Sequence, residues 1–208
     1  ARQVAYRCDQ NHQCPTHNKV DGGSLVEFDR RIFSCNQWLQ SLGLVDAAAS
    51  DWQTAMAGTD LVLLATPVAQ TGPILAALAP FLQAGTIVTD CGSTKTDVVQ
   101  AARAALGDKI AQFVPGHPIA GRELNGPAAA LPGLYRNKKA VLTPCLENSA
   151  QDVATVASLW QACGAVVHYL DAATHDRIFA SVSHLPHLLA YALVDDIAHK
   201  PHADLLFQ

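Results

Sequence analysis

From about residue 44 onward, short and almost wholly apolar runs alternate with longer stretches whose apolar positions recur every three or four residues. Asp60-Leu61-Val62-Leu63-Leu64-Ala65-Thr66, closed by Pro67, reads as a strand buried on both faces. Residues 72–83 follow with helical spacing and Pro73 near the first turn. Thr86-Ile87-Val88-Thr89-Asp90 predicts a second strand ended by Gly92, and residues 94–106 an amphipathic helix closed by Gly107. Further strands are predicted at 112–115, 139–143 and 165–169, with a helix over 149–163 that has a serine at its start. Apolar strands alternating with helices predict an α/β fold with a doubly wound parallel sheet. Ligands of such sheets bind outside the carboxyl ends of the strands.

After residue 170 the pattern changes. Residues 171–200 form one long helical stretch containing Pro186, which is expected to kink or split it. The chain thus divides into a dinucleotide-binding type of domain over 1–170 and the start of an all-helical domain over 171–208, a stretch too short to build its own core. The first 43 residues fit this frame least. Gly22-Gly23-Ser24-Leu25 looks like the end of a dinucleotide-binding glycine loop, and Val26-Glu27-Phe28-Asp29 like a strand ending in a ribose-holding acid. A complete fingerprint sets that acid about 20 residues past the glycines, with a helix between them. Here Gly23 and Asp29 are six positions apart, so spacing alone favours a plain turn and an incomplete first βαβ unit.

Composition narrows the function classes. Half of the 208 residues are hydrophobic and 15% are charged, enough apolar surface to offset chain entropy and exclude a disordered chain. The formal charge is −4 and no basic face stands out, so nucleic acid is not an expected partner. The longest continuous apolar run, around 61–68, is far short of a membrane span of about 20 residues, and no membrane partner is expected. The N-terminus lacks the apolar core of a signal peptide, so a cytoplasmic protein is expected. Cys35, Cys91, Cys145 and Cys163 lie singly in apolar surroundings, as reduced thiols do. Cys8, His12, Cys14 and His17 fall close together, but their spacing fits no common zinc module and no metal is expected.

Three polar clusters carry candidate chemistry. In Asp90-Cys91-Gly92-Ser93-Thr94-Lys95, Ser93 and Thr94 stand where a helix begins, suited equally to capping it or to facing a ligand in the crevice. In Pro115-Gly116-His117-Pro118-Ile119-Ala120-Gly121, a histidine is locked between glycine and proline at a strand end, where its imidazole suits a general base. Arg122 and Glu123 follow it and form, by default, an exposed ion pair. The third cluster, His175-Asp176 with Ser183-His184-Leu185-Pro186-His187, lies in the long helix. His184 and His187 share a face there, better suited to substrate or to a buried hydrogen bond than to metal.

Together with Ala65-Thr66-Pro67-Val68, these segments resemble the prephenate/arogenate (cyclohexadienyl) dehydrogenase family from about residue 42 to the end of the sequence. The His-Pro-Ile-Ala-Gly loop followed by the Ser-His-Leu-Pro-His helix is the specific part of the match. The resemblance implies a Rossmann-like domain followed by the start of a helical dimerisation domain. It also implies a homodimer, and NAD-dependent oxidative decarboxylation of prephenate to 4-hydroxyphenylpyruvate, or of arogenate to tyrosine, with NADP as a possible cofactor. By motif position His117 looks like the catalytic base and Ser93 its partner, with His187, His184, Arg122 and Glu123 toward substrate. Gly22, Gly23, Ser24, Leu25, Asp29, Arg30, Thr66, Pro67 and Asp90 are the expected cofactor contacts. Asp29 would favour NAD through the ribose hydroxyl, while Arg30 would tolerate a 2′-phosphate. The alternatives are another dehydrogenase with a helical second domain, of the β-hydroxyacid type, and a non-catalytic dimerising remnant.

Overall fold

The computed structural model describes residues 3–6, 40–41, 43, 45–49, 51–121, 130–201 and 205. Strand β1 (Gln3–Tyr6) pairs in parallel with β2 (Leu61–Leu64), β2 with β3 (Ile87–Asp90), and β3 with β4 (Phe113–Val114). Helices α1 (Trp52–Met56), α2 (Thr71–Leu78) and α3 (Thr96–Leu106) lie between these strands in sequence. A second sheet has the order β5 (Gly116–Ile119), β6 (Lys139–Leu142) and β7 (Val166–Tyr169), with α4 (Ala150–Ala162) between its last two strands.

The alternation of side chains along the central strands explains why β2 is apolar throughout and β3 is buried throughout. Val62, Leu64, Val88 and Phe113 pack with α1, α2 and α3 through Trp52, Met56, Ile74, Leu75, Leu78 and Val98. Their neighbours Leu61, Ile87 and Val114 turn the other way, into a second core with Ala140, Leu142 and α4's Val156 and Trp160. A strand that feeds two cores has no polar face to show. Ser149 caps α4 by accepting from the Asp152 N–H at 3.0 Å, as its position predicts. Gly107 ends α3 at φ +52°, a backbone that favours glycine.

Two features differ from the sequence reading. The strand predicted over 112–115 stops at Val114, and the chain resumes beyond Pro115 as β5, which runs antiparallel to β6. The break has a local cause. The Gly116 N–H goes to the Asp90 carboxylate and the Gly116 carbonyl accepts from Lys95, so side chains replace the ladder to β3. His117 therefore lies within a strand, not in a loop.

Pro186 does not split the long helix either. Helix α5 (Ala172–Phe179) passes through a single π turn (Ala180–His184) into α6 (Leu185–Ala198). The Leu185 N–H reaches back to Ala180 O, and this wide turn comes just before the residue that has no N–H to give. The 27-residue run Ala172–Ala198 is long and apolar enough by length and composition to cross a membrane, a stretch that counting uninterrupted apolar residues overlooks. Val182, Leu185, Leu188, Leu189, Leu193 and Val194 are exposed along it.

Candidate active site

The site is built where β3 ends and β5 begins, and where α5 meets the start of α3. Asp90, the last residue of β3, and Lys95 are 1% and 0% exposed. Asp90 Oδ1 accepts the Gly116 N–H at 3.0 Å, and Oδ2 accepts the Gly92 N–H at 2.8 Å together with the Lys95 ammonium. Lys95 Nζ also donates to Gly116 O at 2.9 Å. A buried ion pair whose carboxylate and ammonium are each tied to backbone groups as well is held rigidly. It fixes the Cys91–Ser93 turn against the start of β5. Asp90, an expected cofactor contact, has both carboxylate oxygens engaged inside the fold, where they hold the turn and β5 together.

The turn leaves no room to spare. A Cβ placed on Gly92 would stand 2.7 Å from Asp90 Oδ2 and 3.1 Å from Val68 Cγ2. Gly92→Ala is expected to cost on the order of 2 kcal/mol in urea unfolding, because the clashing oxygen belongs to a locked pair and cannot swing away. A loss under a few tenths of a kcal/mol would show that the turn is slack.

Beyond the turn, Ser93 and Thr94 do not cap α3. The cap comes from Asp176 on α5, whose Oδ1 accepts the Lys95 N–H and Oδ2 the Thr96 N–H, each at 2.8 Å. Ser93 is exposed and lines a cleft of about 500 Å³ with Val68, Gly72, Thr94, Asp97 and Ala101. The hydroxyls of Thr66 and Thr94, at the ends that follow β2 and β3, are buried and have no hydrogen-bond partner among the described residues.

His117 meets α5 directly. Its Nδ1 lies 2.8 Å from His175 Nε2, and its ring packs edge-on against His175 and Phe179, with centroids 5.1 Å away in each case. No hydrogen bond joins it to Ser93, so His175 takes the place expected for that serine. Burial, reinforced by the neighbouring His175 imidazole and the Lys95 ammonium and opposed by Asp176, pushes the His117 pKa down to about 3. The imidazole is therefore neutral across the physiological range.

His175 is fully buried, its pKa lowered by burial against the opposing pull of Asp176. Its Nδ1 lies 2.8 Å from Asp176 Oδ1. Burial on its own would raise the Asp176 pKa, but hydrogen bonds from Thr96, His175 and Lys95 hold it at about 2.

His184 stands in the π turn, half-buried and within electrostatic reach of His117, whereas His187 is one turn on, exposed, against Tyr191. The structure thus brings His117, His175, Asp176, Phe179 and His184 together, with Ser93 and Thr94 lining the cleft. Gly22, Gly23, Ser24, Leu25, Asp29, Arg30, Arg122 and Glu123 lie outside the described residues. Among the described residues no group of three or more His, Cys, Asp or Glu side chains is placed to hold a metal ion.

Comparison with known proteins agrees with this layout. Residues 19–169 match the nucleotide-binding domain of prephenate dehydrogenase, and residues 171–206 match its dimerization domain. The cyclohexadienyl dehydrogenase of Zymomonas mobilis is 39% identical over 155 residues, covering 74% of this chain and 52% of its own length. The prephenate dehydrogenase of Bacillus subtilis is 35% identical over 160 residues, covering 76% of this chain and 43% of its own. The chain thus spans about half the length of the relatives it matches. The crystal structure of prephenate dehydrogenase from Aquifex aeolicus superposes with a TM-score of 0.75 at 35% identity, over 83% of this chain and 62% of that one. A second crystal structure of that enzyme holds hydroxyphenyl propionate and NAD+. On the match of both domains, the chain belongs to the prephenate dehydrogenase family.

Proposed function

We propose that the protein carrying this chain oxidatively decarboxylates a cyclohexadiene substrate, prephenate or arogenate, with NAD as oxidant, and that His117 is its general base. The observation that carries the reading is the state of His117. It is neutral, held at the strand end by Nδ1, and its Nε2 has no partner among the described residues. Hydride loss from C4 would build positive charge there unless the C4 hydroxyl proton is withdrawn. Nε2 accepts that proton, the ring carboxylate leaves as CO2, and aromatisation makes the step effectively irreversible.

The crevice fits a nicotinamide cofactor. The orphaned Thr94 hydroxyl offers a polar contact beside an apolar wall of Val68 and Pro73, with Ser93 at the same rim, and Thr66 and Pro67, the expected nicotinamide contacts, come just before Val68 in the chain. When bound, the nicotinamide ring supplies the hydride acceptor. In this reading His184 and His187, on the turn and helix that follow α5, take the substrate side chain. A homodimer is part of the proposal. The apolar residues exposed along α6 fall in the stretch that matches a dimerization domain, and a second copy would cover them. That match favours a subunit interface over a membrane span, and a cytoplasmic enzyme follows from the same reading.

The test is the purified full protein with NAD and prephenate or arogenate, following reduced cofactor and released CO2 together. Equal amounts of the two products are expected. Cofactor reduction by β-hydroxyacids alone, or no NAD binding at all, would replace this reading with one of the two alternatives.

A further inference from the structure

Resting on the reading of His117 as base, we infer that His175 and Asp176 are positioning residues that hold His117 in the Nδ1–H tautomer and so keep its Nε2 lone pair free for the substrate hydroxyl. The assignment follows from the chain of contacts. Asp176 already accepts the Lys95 and Thr96 amide N–H groups, and an ionised carboxylate only accepts. The 2.8 Å contact to His175 Nδ1 must therefore carry its hydrogen on the histidine.

A neutral imidazole with a hydrogen on Nδ1 has a bare Nε2. The 2.8 Å contact between that nitrogen and His117 Nδ1 then needs a hydrogen on His117 Nδ1. A doubly protonated His175 would reverse the donors and put the hydrogen of His117 on Nε2, where it blocks the base. The surroundings oppose that state. The His175 ring is fully buried against Phe179, and Lys95 is a cationic neighbour, although Asp176 and Asp90 pull the other way. When His117 takes the proton, its new charge faces the His175–Asp176 pair, the same logic by which a buried acid steadies an imidazolium in a hydrolase triad. Both residues sit on α5, so the helical stretch sets the protonation of a base on the sheet.

The test uses imidazole-15N-labelled protein and three variants, His175→Ala, His175→Gln and Asp176→Asn. In the wild type, long-range 1H–15N spectra should show His117 protonated on Nδ1 and bare on Nε2. His175→Ala should shift that population toward Nε2–H and lower kcat on the order of 10- to 100-fold, with KM and NAD affinity within about 2-fold. Asp176→Asn should shift the tautomer in the same direction. His175→Gln keeps an amide oxygen that accepts from Nδ1–H, so it should restore the tautomer and most of kcat. A wild-type His117 protonated on Nε2 would overturn the inference, as would an unshifted tautomer and unchanged kcat in His175→Ala. Should His175→Ala fail to fold, a glutamine variant with the wrong tautomer would overturn it equally. The spectra need no turnover, so a protein inactive on both substrates would sink the functional reading while the tautomer is still decided.

Discussion

His117→Asn is expected to lower kcat by roughly 10²- to 10⁴-fold while NAD affinity stays as in the wild type, the span usual for loss of a general base. Asparagine can still donate toward His175 and fill much of the space between His175 and Phe179, but it offers no lone pair of comparable basicity to the C4 hydroxyl. The residue does not line the cleft beside Thr94 and Ser93, which is why the cofactor constant should not move. Turnover near the wild-type rate would remove His117 from the mechanism. Weakened NAD binding with turnover intact at saturation would make it a cofactor contact instead.

The environment of His117 also sets the sign of the pH dependence. Its pKa is lowered to about 3, so the base form survives below the ordinary histidine range. In the free enzyme, kcat/KM is expected to stay level from about pH 8 to about pH 5, with no inflection near 6.5. A pKa that low makes a weak acceptor, and substrate carboxylates bound nearby raise it. The acid limb of kcat should therefore lie at higher pH than that of kcat/KM. Stability runs in a matching direction. The unfolded chain takes up a proton at 6.5 that folded His117 refuses, so this residue's contribution is whole above 6.5 and lost as pH falls toward 3. An inflection of kcat/KM near 6.5 would mean that the ring is more open to water than its packing shows.

Much of this architecture is legible in the sequence because burial on two faces leaves a plain trace. The runs 61–64 and 140–142 are apolar at every position, 87–90 is buried throughout although it ends in Thr89-Asp90, and a serine marks the start of α4. The edge strand 166–169, by contrast, is largely exposed and is legible from its β-branched and aromatic residues. His117, Ser93 and the histidines of the long helix stand out for the same local reason, as polar residues at strand ends or on one helix face. What escaped are pairings made at a distance. The cap of α3 is an aspartate 80 residues away in sequence, so no reading of the Ser93-Thr94-Lys95 segment could find it. Ser93 looked like the partner of His117 because it is near in the pattern of motifs, but space gives that place to His175, 58 positions on. Phe179 offered no signal beyond an aromatic in a helix. Pro115 ends β4 because Asp90 and Lys95 capture both backbone groups of Gly116, a tertiary event invisible in a run that reads as one strand.

That capture makes the loss of Lys95 costly to the fold. Lys95→Met is expected to destabilise the protein by about 3 to 5 kcal/mol, the penalty for stranding one member of a buried ion pair. Methionine fills much of the same volume, so the loss is chiefly the bare Asp90 carboxylate and the Gly116 carbonyl left without its donor. Urea unfolding should show a lower midpoint with an unchanged slope. The companion Asp90→Asn in the Lys95→Met background removes the stranded charge and keeps one acceptor for Gly92 or Gly116. It should recover roughly 1 kcal/mol or more relative to the sum of the single changes. The two residues touch only inner edges of the site, so activity falls through geometry: with Gly116 released, His117 loses its fixed distance from the Ser93 turn. Under 1 kcal/mol for Lys95→Met, or strict additivity in the double variant, would mean that water reaches the pair and that the site is held by packing alone.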